Sequence, residues 1–306
     1  MLIGVQTGGV SERLGREECL KMIAEAGFKV LDGNIDHFLP GNDIREGKLT
    51  SIFDESEEAC MEYVRPWLET AEKYGLQFGQ LHAPFPTFVN VPETDEYLIN
   101  ALNKSIAMAG ALKCPHIIVH PAFLRYNDAL SPEEEWKLNI ERYSALIPML
   151  KKHNVICCLE NMFTRFAGEG RPGKLYGACC SNPYEAAKYI DTLNEIAGEK
   201  RFAFCLDTGH ALIVGADIRR TMNVLGSRIE TLHIHDNDGI DDQHLAPYMG
   251  RLDWDAFIEG LKEIGYKGHL SFETFNVLNA FDDELMLPCL KLICATGEMF
   301  RKRIEA

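Results

Sequence analysis

The stretch 202–210 reads FAFCLDTGH, an uninterrupted apolar run that ends in Asp207 and is followed by His210. A short continuous apolar run of this kind is typical of a parallel strand that is covered on both faces. The segment 155–160, VICCLE, repeats the pattern and ends in Glu160, and TLHIH at 231–235 contains two histidines. The pattern therefore predicts buried parallel strands whose carboxyl ends carry ionisable side chains.

Outward from this stretch, eight apolar runs of strand length alternate with longer amphipathic segments. The predicted strands cover 2–6, 29–32, 77–82, 116–120, 155–160, 202–207, 231–235 and 269–273. The predicted helices cover 16–26, 56–74, 95–112, 132–153, 183–196, 253–264 and 282–303. This alternation predicts an α/β fold, a (β/α)8 TIM barrel that forms a single domain over residues 1–306.

An open doubly wound sheet is the structural alternative. Such a sheet usually brings a glycine-rich phosphate turn after its first strand. Residues 7–11 read TGGVS, which has neither the GxGxxG nor the P-loop spacing, so the barrel is favoured. Two connections, 33–53 and 163–181, are longer than usual and are expected to act as lids or substrate walls.

The composition disfavours several classes of protein. The formal net charge is −15, and a field of that sign repels a phosphate backbone, so a nucleic-acid partner is not expected. No apolar run approaches the roughly 20 residues of a membrane span. The N-terminus reads as a first strand and not as a secretory signal. The ten cysteines are scattered, as expected of reduced thiols in a cytoplasmic protein.

Ionisable residues interrupt the predicted strands at their C-terminal ends, the face at which barrel enzymes build their active sites. These residues are His82, His120, Glu160, Asp207, His210, His233, His235 and Glu273. A single histidine at a strand end is more often a hydrogen-bonded structural residue than a ligand. Several carboxylates in one cavity, however, repel one another unless a cation compensates them. The oxygen-rich set suits Mn²⁺ or Mg²⁺ and also allows Zn²⁺ or Co²⁺.

Neighbouring polar residues extend the candidate site. Asn161 follows Glu160, where it is either a turn residue or a group that supports a metal ligand or hydrogen-bonds the substrate. Asp242 and His244 lie in the loop after the seventh predicted strand and would make an extra ligand pair beside a metal cluster. Arg251 is a candidate for contacts with substrate oxygens.

Read in order, several short segments resemble one family. They are HAPF at 82–85, VHP at 119–121, LEN at 159–161, CLDTGHA at 205–211, HIHDNDG at 233–239, DQHLAP at 242–247 and FET at 272–274. Together they are similar to the xylose isomerase-like TIM barrel superfamily. This superfamily includes sugar and sugar-phosphate isomerases and epimerases, inosose dehydratases, and the endonuclease IV group of nucleases. The resemblance covers nearly the whole chain, and the ordered set is more specific than any one segment.

The resemblance implies a site and a reaction. In the isomerase branch one divalent metal is held by residues that match Glu160, Asp207, His233 and Glu273. The H-x-x-D-N form of that branch favours His233 over His235 as the ligand. The resemblance also implies that Glu160 and Glu273 serve as the acid and base. The leading hypothesis is a metal-dependent isomerase or epimerase that acts on a sugar, a sugar phosphate or a related polyol by proton transfer through an enediolate.

Two alternatives remain open. The chain matches the further zinc ligands of the endonuclease IV branch, which are His82, His120, His210, Asp242 and His244. These residues and His235 are therefore candidates for additional metal or substrate contacts. The second hypothesis is a zinc-dependent phosphodiesterase that acts at abasic DNA; Arg171 and Lys174 form the only compact basic loop near the predicted mouth. The third is a non-catalytic barrel, disfavoured because all four costly ligands are kept together.

One departure from the family concerns the loop beside the substrate. A G-x-G usually follows the D-x-H segment, whereas residues 248–250 read YMG here. The choice of one substrate within the family therefore stays open. Members of the superfamily are often dimers or tetramers, so the resemblance also allows a homo-oligomer.

Overall fold

The computed structural model describes residues 1–124, 128–165 and 175–306, so Arg171 and Lys174 lie outside the described residues. Its strands, in chain order, are β1 (Ile3–Gln6), β2 (Val30–Asn34), β3 (Gln77–His82), β4 (His116–Ile118), β5 (Ile156–Glu160), β6 (Phe163–Arg165), β7 (Leu175–Gly177), β8 (Phe202–Asp207), β9 (Ile229–His233) and β10 (Leu270–Phe272). Every strand predicted from the sequence has a counterpart in this series.

Eight parallel strands form the barrel, in the order β10-β1-β2-β3-β4-β5-β8-β9. β1 pairs with β10 through Ile3 and Leu270. A parallel bridge between Ile234 and Phe272 joins the two ends of the sheet. The predicted (β/α)8 fold is therefore confirmed. β6 and β7 form a separate antiparallel pair within the long connection after β5.

Helices follow the strands and cover the outer face of the barrel. They are α1 (Val10–Ala26), α2 (Gly41–Arg45), α3 (Glu57–Lys73), α4 (Pro92–Ala111), α5 (Pro132–His153), α6 (Pro183–Ala197), α7 (Thr208–Ile213), α8 (Ile218–Leu225), α9 (Trp254–Glu263), α10 (Phe275–Asn279) and α11 (Asp283–Glu305). α5 begins with a capping box, in which the side chains of Ser131 and Glu134 each accept a backbone N–H of the other residue. Gly27 follows α1 with a φ of 107°, a left-handed end that glycine permits.

Three strands end earlier than the sequence predicts. β4 stops at Ile118, β9 at His233 and β10 at Phe272, each one or two residues before the predicted end. The residues that directly follow still donate backbone hydrogen bonds to neighbouring strands: Val119 N to Cys158 O, Ile234 N to Ser271 O and Glu273 N to Ile234 O. Four helices were also missed: α2, α7, α8 and α10 have only 5, 6, 8 and 5 residues, too short to show a clear apolar period.

Alternate residues along each strand face the barrel axis. Cys158 and Cys205 lie in a small buried cluster that is separate from the main core. Glu160 and Asp207 follow two residues later on the same strands, so they face the axis one layer higher. All ten cysteines are free thiols. None of the helices in the described ranges has the length and apolar character needed to span a bilayer.

Candidate metal centre

Four side chains predicted as metal ligands converge at the C-terminal end of the barrel. Glu160, Asp207 and His233 are the last residues of β5, β8 and β9, and Glu273 directly follows β10. Their exposed fractions are 1%, 0%, 0% and 6%. Because the carboxyl ends of parallel strands meet at one face, residues far apart in sequence become neighbours here.

His233 lies at the centre of this group. Its Nδ1 atom is 3.2 Å from Glu160 Oε2, 3.4 Å from Glu273 Oε2 and 3.9 Å from Asp207 Oδ2. Ligand atoms that share one ion at about 2.1 Å lie about 3.0–3.4 Å apart. The spacing therefore fits one divalent cation after a small shift of Asp207. We call these four side chains the central group.

A second group adjoins the first and shares Glu160 with it. His82 Nε2 lies 3.0 Å from His120 Nε2, and His120 Nε2 lies 3.2 Å from Glu160 Oε2. Two imidazole nitrogens that face each other at this distance either share one proton or point at one cation. The two histidines come from β3 and from the residues just after β4.

A third group is formed by His210 and by Asp242 and His244, which lie in the loop after β9. Asp242 Oδ2 is 2.9 Å from His244 Nε2 and 3.5 Å from His210 Nε2. His210 Nδ1 also approaches Glu160 Oε1 at 3.2 Å, which makes the three groups continuous. The structure thus brings every predicted additional ligand into one cluster.

His235 supports Asp207. Its Nε2 atom lies 2.9 Å from Asp207 Oδ2, and its ring stacks on that of His244 with a centroid separation of 4.1 Å. Gly209 makes room for this ring, because a Cβ at that position would lie 1.9 Å from His235 Cε1. The close approach accounts for the glycine between Asp207 and His210.

Among the described residues, the ion-pair partners of the cluster's acids are histidines. In the part of the chain that the structure describes, no lysine or arginine pairs with Glu160, Asp207, Asp242 or Glu273. Buried carboxylates ordinarily need a fixed positive charge or a metal to remain ionised. In this set of acids and histidines, a bound cation would therefore take the place of the protons that the side chains otherwise share.

The surroundings shift the pKa values of the two glutamates in the cluster in opposite directions. Burial opposes ionisation of Glu160, but the charges of His120 and His233 hold its pKa well below the ordinary range. Burial, and then the negative charge of Asp207, raises the pKa of Glu273 to about 8. Burial and the neighbouring His120 lower the pKa of His82 to about 4. Separated values of this kind are common where acids, bases and metal ligands are gathered.

Several buried polar atoms of the cluster make no hydrogen bond with the described residues. They are both ring nitrogens of His233, Nδ1 of His120, Nδ1 of His235 and Oδ1 of Asp242. An unpaired buried polar atom costs about 1–3 kcal/mol. Of these atoms, Nδ1 of His233 faces Glu160 and Glu273, and a divalent cation there would remove its part of that cost, so the residues fit a metal site.

A family model for the xylose isomerase-like TIM barrel matches residues 11–287. The chain belongs to this family. The match spans every strand of the barrel except the first, and it includes every cluster residue described above.

Two curated relatives illustrate the reach of the xylose isomerase-like family. An uncharacterized protein of Methanocaldococcus jannaschii is 27% identical over 226 residues, which is 72% of this chain and 72% of the relative. An inosose isomerase of Bacillus subtilis is 29% identical over 104 residues, which is 32% of this chain and 36% of the relative.

Solved structures of the family share the fold over nearly the whole chain. A D-tagatose 3-epimerase-like protein has a TM-score of 0.71 and 21% identity, covering 99% of this chain and 100% of that chain. A D-psicose 3-epimerase from Clostridium cellulolyticum H10 has a TM-score of 0.67 and 14% identity, covering 98% and 99%. The IOLI protein with a bound zinc atom has a TM-score of 0.66 and 16% identity, covering 99% and 98%. At such identities the likeness establishes the fold.

A cavity of about 1140 Å³ opens above the cluster. Glu160 and Glu273 line it, whereas Asp207 and His233 are not among its described lining residues. The central group therefore has two levels: two glutamates face the cavity, and the aspartate and histidine lie beneath them.

Aromatic rings cover the outer histidines of the xylose isomerase-like site. The rings of Phe85, Phe163 and Phe275 lie 4.6, 4.9 and 4.2 Å from those of His120, His210 and His244. All six residues line the cavity. The phenylalanines thus give the polar floor an apolar wall that limits access of water.

Two residues predicted to contact the substrate make other contacts in this structure. The Asn161 side chain donates to Asp207 O and accepts from Asp207 N, both at 2.9 Å, so its amide joins β5 to β8 below the cavity. Arg251 has an exposed side chain, and it is not among the described residues that line the cavity. Its backbone N–H instead donates to Asn237 O at 2.9 Å.

Three residues that support the site were missed. Gln6 Nε2 donates to Glu273 Oε1 at 2.9 Å. Asp32 is fully buried, and its Oδ2 atom lies 3.2 Å from His233 Nε2. Asp236 accepts four backbone N–H groups and Trp254 Nε1, which holds the loop that carries the third group. Gln6 and Asp32 end predicted strands as polar residues, the same signal that identified Glu160.

Proposed function

We propose that this protein is a metal-dependent isomerase or epimerase that acts on a neutral sugar or a related polyol. Fold neighbours that are sugar epimerases and a relative that is an inosose isomerase support this class of reaction. One observation carries the proposal: of the central group, only Glu160 and Glu273 line the cavity. Two carboxylates that reach the substrate, above an aspartate and a histidine that do not, suit proton transfer between carbon atoms.

The two glutamates have the proposed roles of proton acceptor and proton donor. A divalent cation held by the central group would polarise a substrate carbonyl and so make the adjacent C–H more acidic. A glutamate on one side accepts that proton, and return of a proton to the enediolate completes the isomerisation or epimerisation. Without metal, the pKa of Glu160 is held low and that of Glu273 is raised to about 8, so the surroundings of the two glutamates are not equivalent. Gln6 orients Glu273 through its Oε1 atom.

The charge of the cavity mouth favours an uncharged substrate over a phosphate ester. The described charged residues that line its outer part are Glu12, Asp36, Arg45, Glu46, Asp128 and Arg165. Acids outnumber arginines in this set, and the whole chain carries a formal net charge of −15. A negative potential at the mouth repels phosphate and leaves a neutral polyol unaffected.

The ligand set favours Mn²⁺ or Mg²⁺ in the central group. Three of its four side chains are carboxylates, which prefer hard cations. Zn²⁺ and Co²⁺ are compatible with the imidazole of His233 and with the histidine-rich groups beside it.

Deuterium exchange tests the proposal directly. Protein freed of metal by a chelator and reloaded with Mn²⁺ is incubated in deuterated water with a panel of ketoses, aldoses, their phosphates and inososes. We expect deuterium at the carbon next to the carbonyl of a neutral substrate, and loss of that exchange by at least about 100-fold in Glu160→Gln and Glu273→Gln.

Glu230→Gln is the matched control, because Glu230 is a half-buried acid at the opposite end of the barrel. It should exchange at the wild-type rate. Full exchange by either central variant, or by the chelated protein, would refute the mechanism.

A zinc-dependent phosphodiesterase that acts at abasic DNA is the second candidate. The observation in its favour is the presence of two further ligand groups, His82–His120–Glu160 and His210–Asp242–His244, beside the central one. It requires about three zinc ions per chain and incision of an abasic duplex. Metal content of protein purified without chelator, together with that incision assay, separates the two candidates. A chain that shows neither activity would instead support a non-catalytic barrel.

A further inference from the structure

Asp32 is an acid inside the barrel that the proposed reaction does not use. It lies in β2, is fully buried, and accepts hydrogen bonds at Oδ2 from Gln80 Nε2 at 2.7 Å and from Ser271 Oγ at 3.3 Å. Its Oδ1 atom makes no hydrogen bond with the described residues. A buried carboxylate oxygen without a partner is costly and calls for a functional explanation.

The ring of His233 lies between Asp32 and the acids of the central group. Nε2 is 3.2 Å from Asp32 Oδ2, whereas Nδ1 faces Glu160 and Glu273 at 3.2 and 3.4 Å. Although Nε2 lies within 3.2 Å of Oδ2, the pair does not meet hydrogen-bond geometry, and neither ring nitrogen is hydrogen-bonded within the described structure. One leftover donor and one leftover acceptor, both buried, thus lie side by side, and a small rotation of the Asp32 carboxylate pairs them.

The two faces of the ring are not equivalent for a metal. A neutral imidazole carries one proton, and the nitrogen without it is the one that can bind a cation. With the proton on Nε2, the ring donates to Asp32 and turns the Nδ1 lone pair toward the central group. With the proton on Nδ1, the lone pair of Nε2 faces a carboxylate and the N–H points into the cation position. Only the tautomer with the proton on Nε2 gives Asp32 a hydrogen-bond donor and the cation a lone pair.

We propose that Asp32 is a positioning residue that sets the tautomer and orientation of His233, so that Nδ1 is presented to the cation. This inference rests on the proposed metal dependence and adds to it a residue that touches neither substrate nor cation. Partners that orient a ligating histidine in this way typically change metal affinity about 10- to 100-fold when they are removed.

The decisive variant is Asp32→Asn, which keeps the volume and the oxygen that Gln80 and Ser271 bind but removes the charge. We expect its affinity for Mn²⁺ and Zn²⁺, measured by competition with a chromogenic chelator, to fall about 10- to 100-fold. Ser271→Ala is the matched control: it removes one hydrogen bond to Asp32 and keeps the carboxylate. Its affinity should change less than about 3-fold.

A second measurement is made on the wild-type protein, and a variant is needed only to assign one signal. In zinc-loaded wild-type protein with ¹⁵N-labelled histidine, NMR should show the His233 proton on Nε2 and the metal on Nδ1; His233→Gln identifies the signal. The opposite assignment would overturn the inference, as would wild-type affinity in Asp32→Asn. A wild-type protein that takes up no divalent cation would instead refute the proposed function, and the role of Asp32 with it. The two failures are therefore distinguishable.

Discussion

The two ends of the barrel both hold histidines beside acids, but they balance charge differently. At the N-terminal end, Glu230 has His116 Nε2 at 3.1 Å and also contacts Lys200 Nζ. Its side chain is 20% exposed. At the C-terminal end, Glu160 is 1% exposed, and its ion-pair partners within the described residues are the histidines His120, His210 and His233.

The difference separates an acid that is neutralised by the protein from acids that are not. A lysine is charged at every pH at which the protein functions, so Glu230 needs no further cation. Histidines balance the upper acids only while they are protonated, and a divalent metal displaces those protons. The C-terminal end therefore resembles a site prepared for a cation, whereas the N-terminal end is a structural ion pair.

The largest effect is expected from Glu273→Gln, which removes one of the acids that the protein itself does not neutralise. In wild-type protein, a cation at about 100–1,000 times its Kd should raise the free energy of unfolding by about 3–4 kcal/mol. Glu273→Gln should lose most of that gain. The pKa of Glu273 is raised to about 8, so its ionisation destabilises the fold as the pH rises from the ordinary value through 8. In chelator at about pH 9 the variant should accordingly be more stable than the wild type.

Denaturant titration with and without chelator measures both effects. The same titration at about pH 4.5, where the carboxyl is protonated in the folded state and about half protonated in the unfolded state, should show little gain from the substitution. Equal stability of the chelated proteins at high pH would mean that Glu273 is neutralised by the protein itself, and the contrast between the two ends would disappear.

The positions of the acids could be predicted from the sequence because strand and barrel geometry are periodic. Glu160 and Asp207 end apolar runs, and the carboxyl ends of parallel strands share one face. The partners of these acids could not be predicted from the strand pattern, and only the family resemblance favoured His233 over His235. His233 and His235 are two residues apart and face the same side of their strand, so alternation alone does not tell which one contacts Glu160 and which contacts Asp207.

Side-chain contacts with other strands were not foreseen from the sequence. Asp32 meets His233 across the barrel axis, and no local pattern encodes that meeting. Asn161 follows a ligand in sequence, but its amide is taken up by the backbone of Asp207 on the neighbouring strand. The hairpin of β6 and β7 has three residues in each strand, which is too short for a periodic signal.

Glu135 and Glu185 are a pair of acids outside the barrel that are less buried than the acids of the metal centre, and they extend the comparison. Burial, and then the charge of Glu185, raises the pKa of Glu135 to about 7. Its ionisation therefore costs stability as the pH rises from the ordinary value through 7, and the cost is absent at lower pH. Because the side chain is partly exposed, we expect Glu135→Gln to gain about 1–2 kcal/mol at about pH 8.5 and nothing at about pH 4.5.

Glu133→Gln is the control for that substitution, since Glu133 lies in the same first turn of α5 and shares its interaction with the helix dipole. Thermal unfolding at both pH values, with chelator present, measures the difference. A gain in Glu133→Gln of the same size would assign the effect to the helix end and not to the acid pair.

The smallest effect is expected from Glu230→Gln, at the N-terminal end of the barrel. Burial opposes ionisation of Glu230, but His116 and Lys200 lower its pKa. The ion pair thus stabilises the fold above the ordinary pKa of a glutamate, and that contribution is lost as the pH falls through the lowered value. Glu230→Gln should cost about 1 kcal/mol at neutral pH, allowing for partial exposure, and the difference should shrink on acidification. Denaturant titration should give this same cost with chelator and with saturating Mn²⁺, because the charge at this end is already balanced. A cost that depended on metal would mean that the two ends are coupled through the barrel, and Glu230 could then no longer serve as the control for the upper acids.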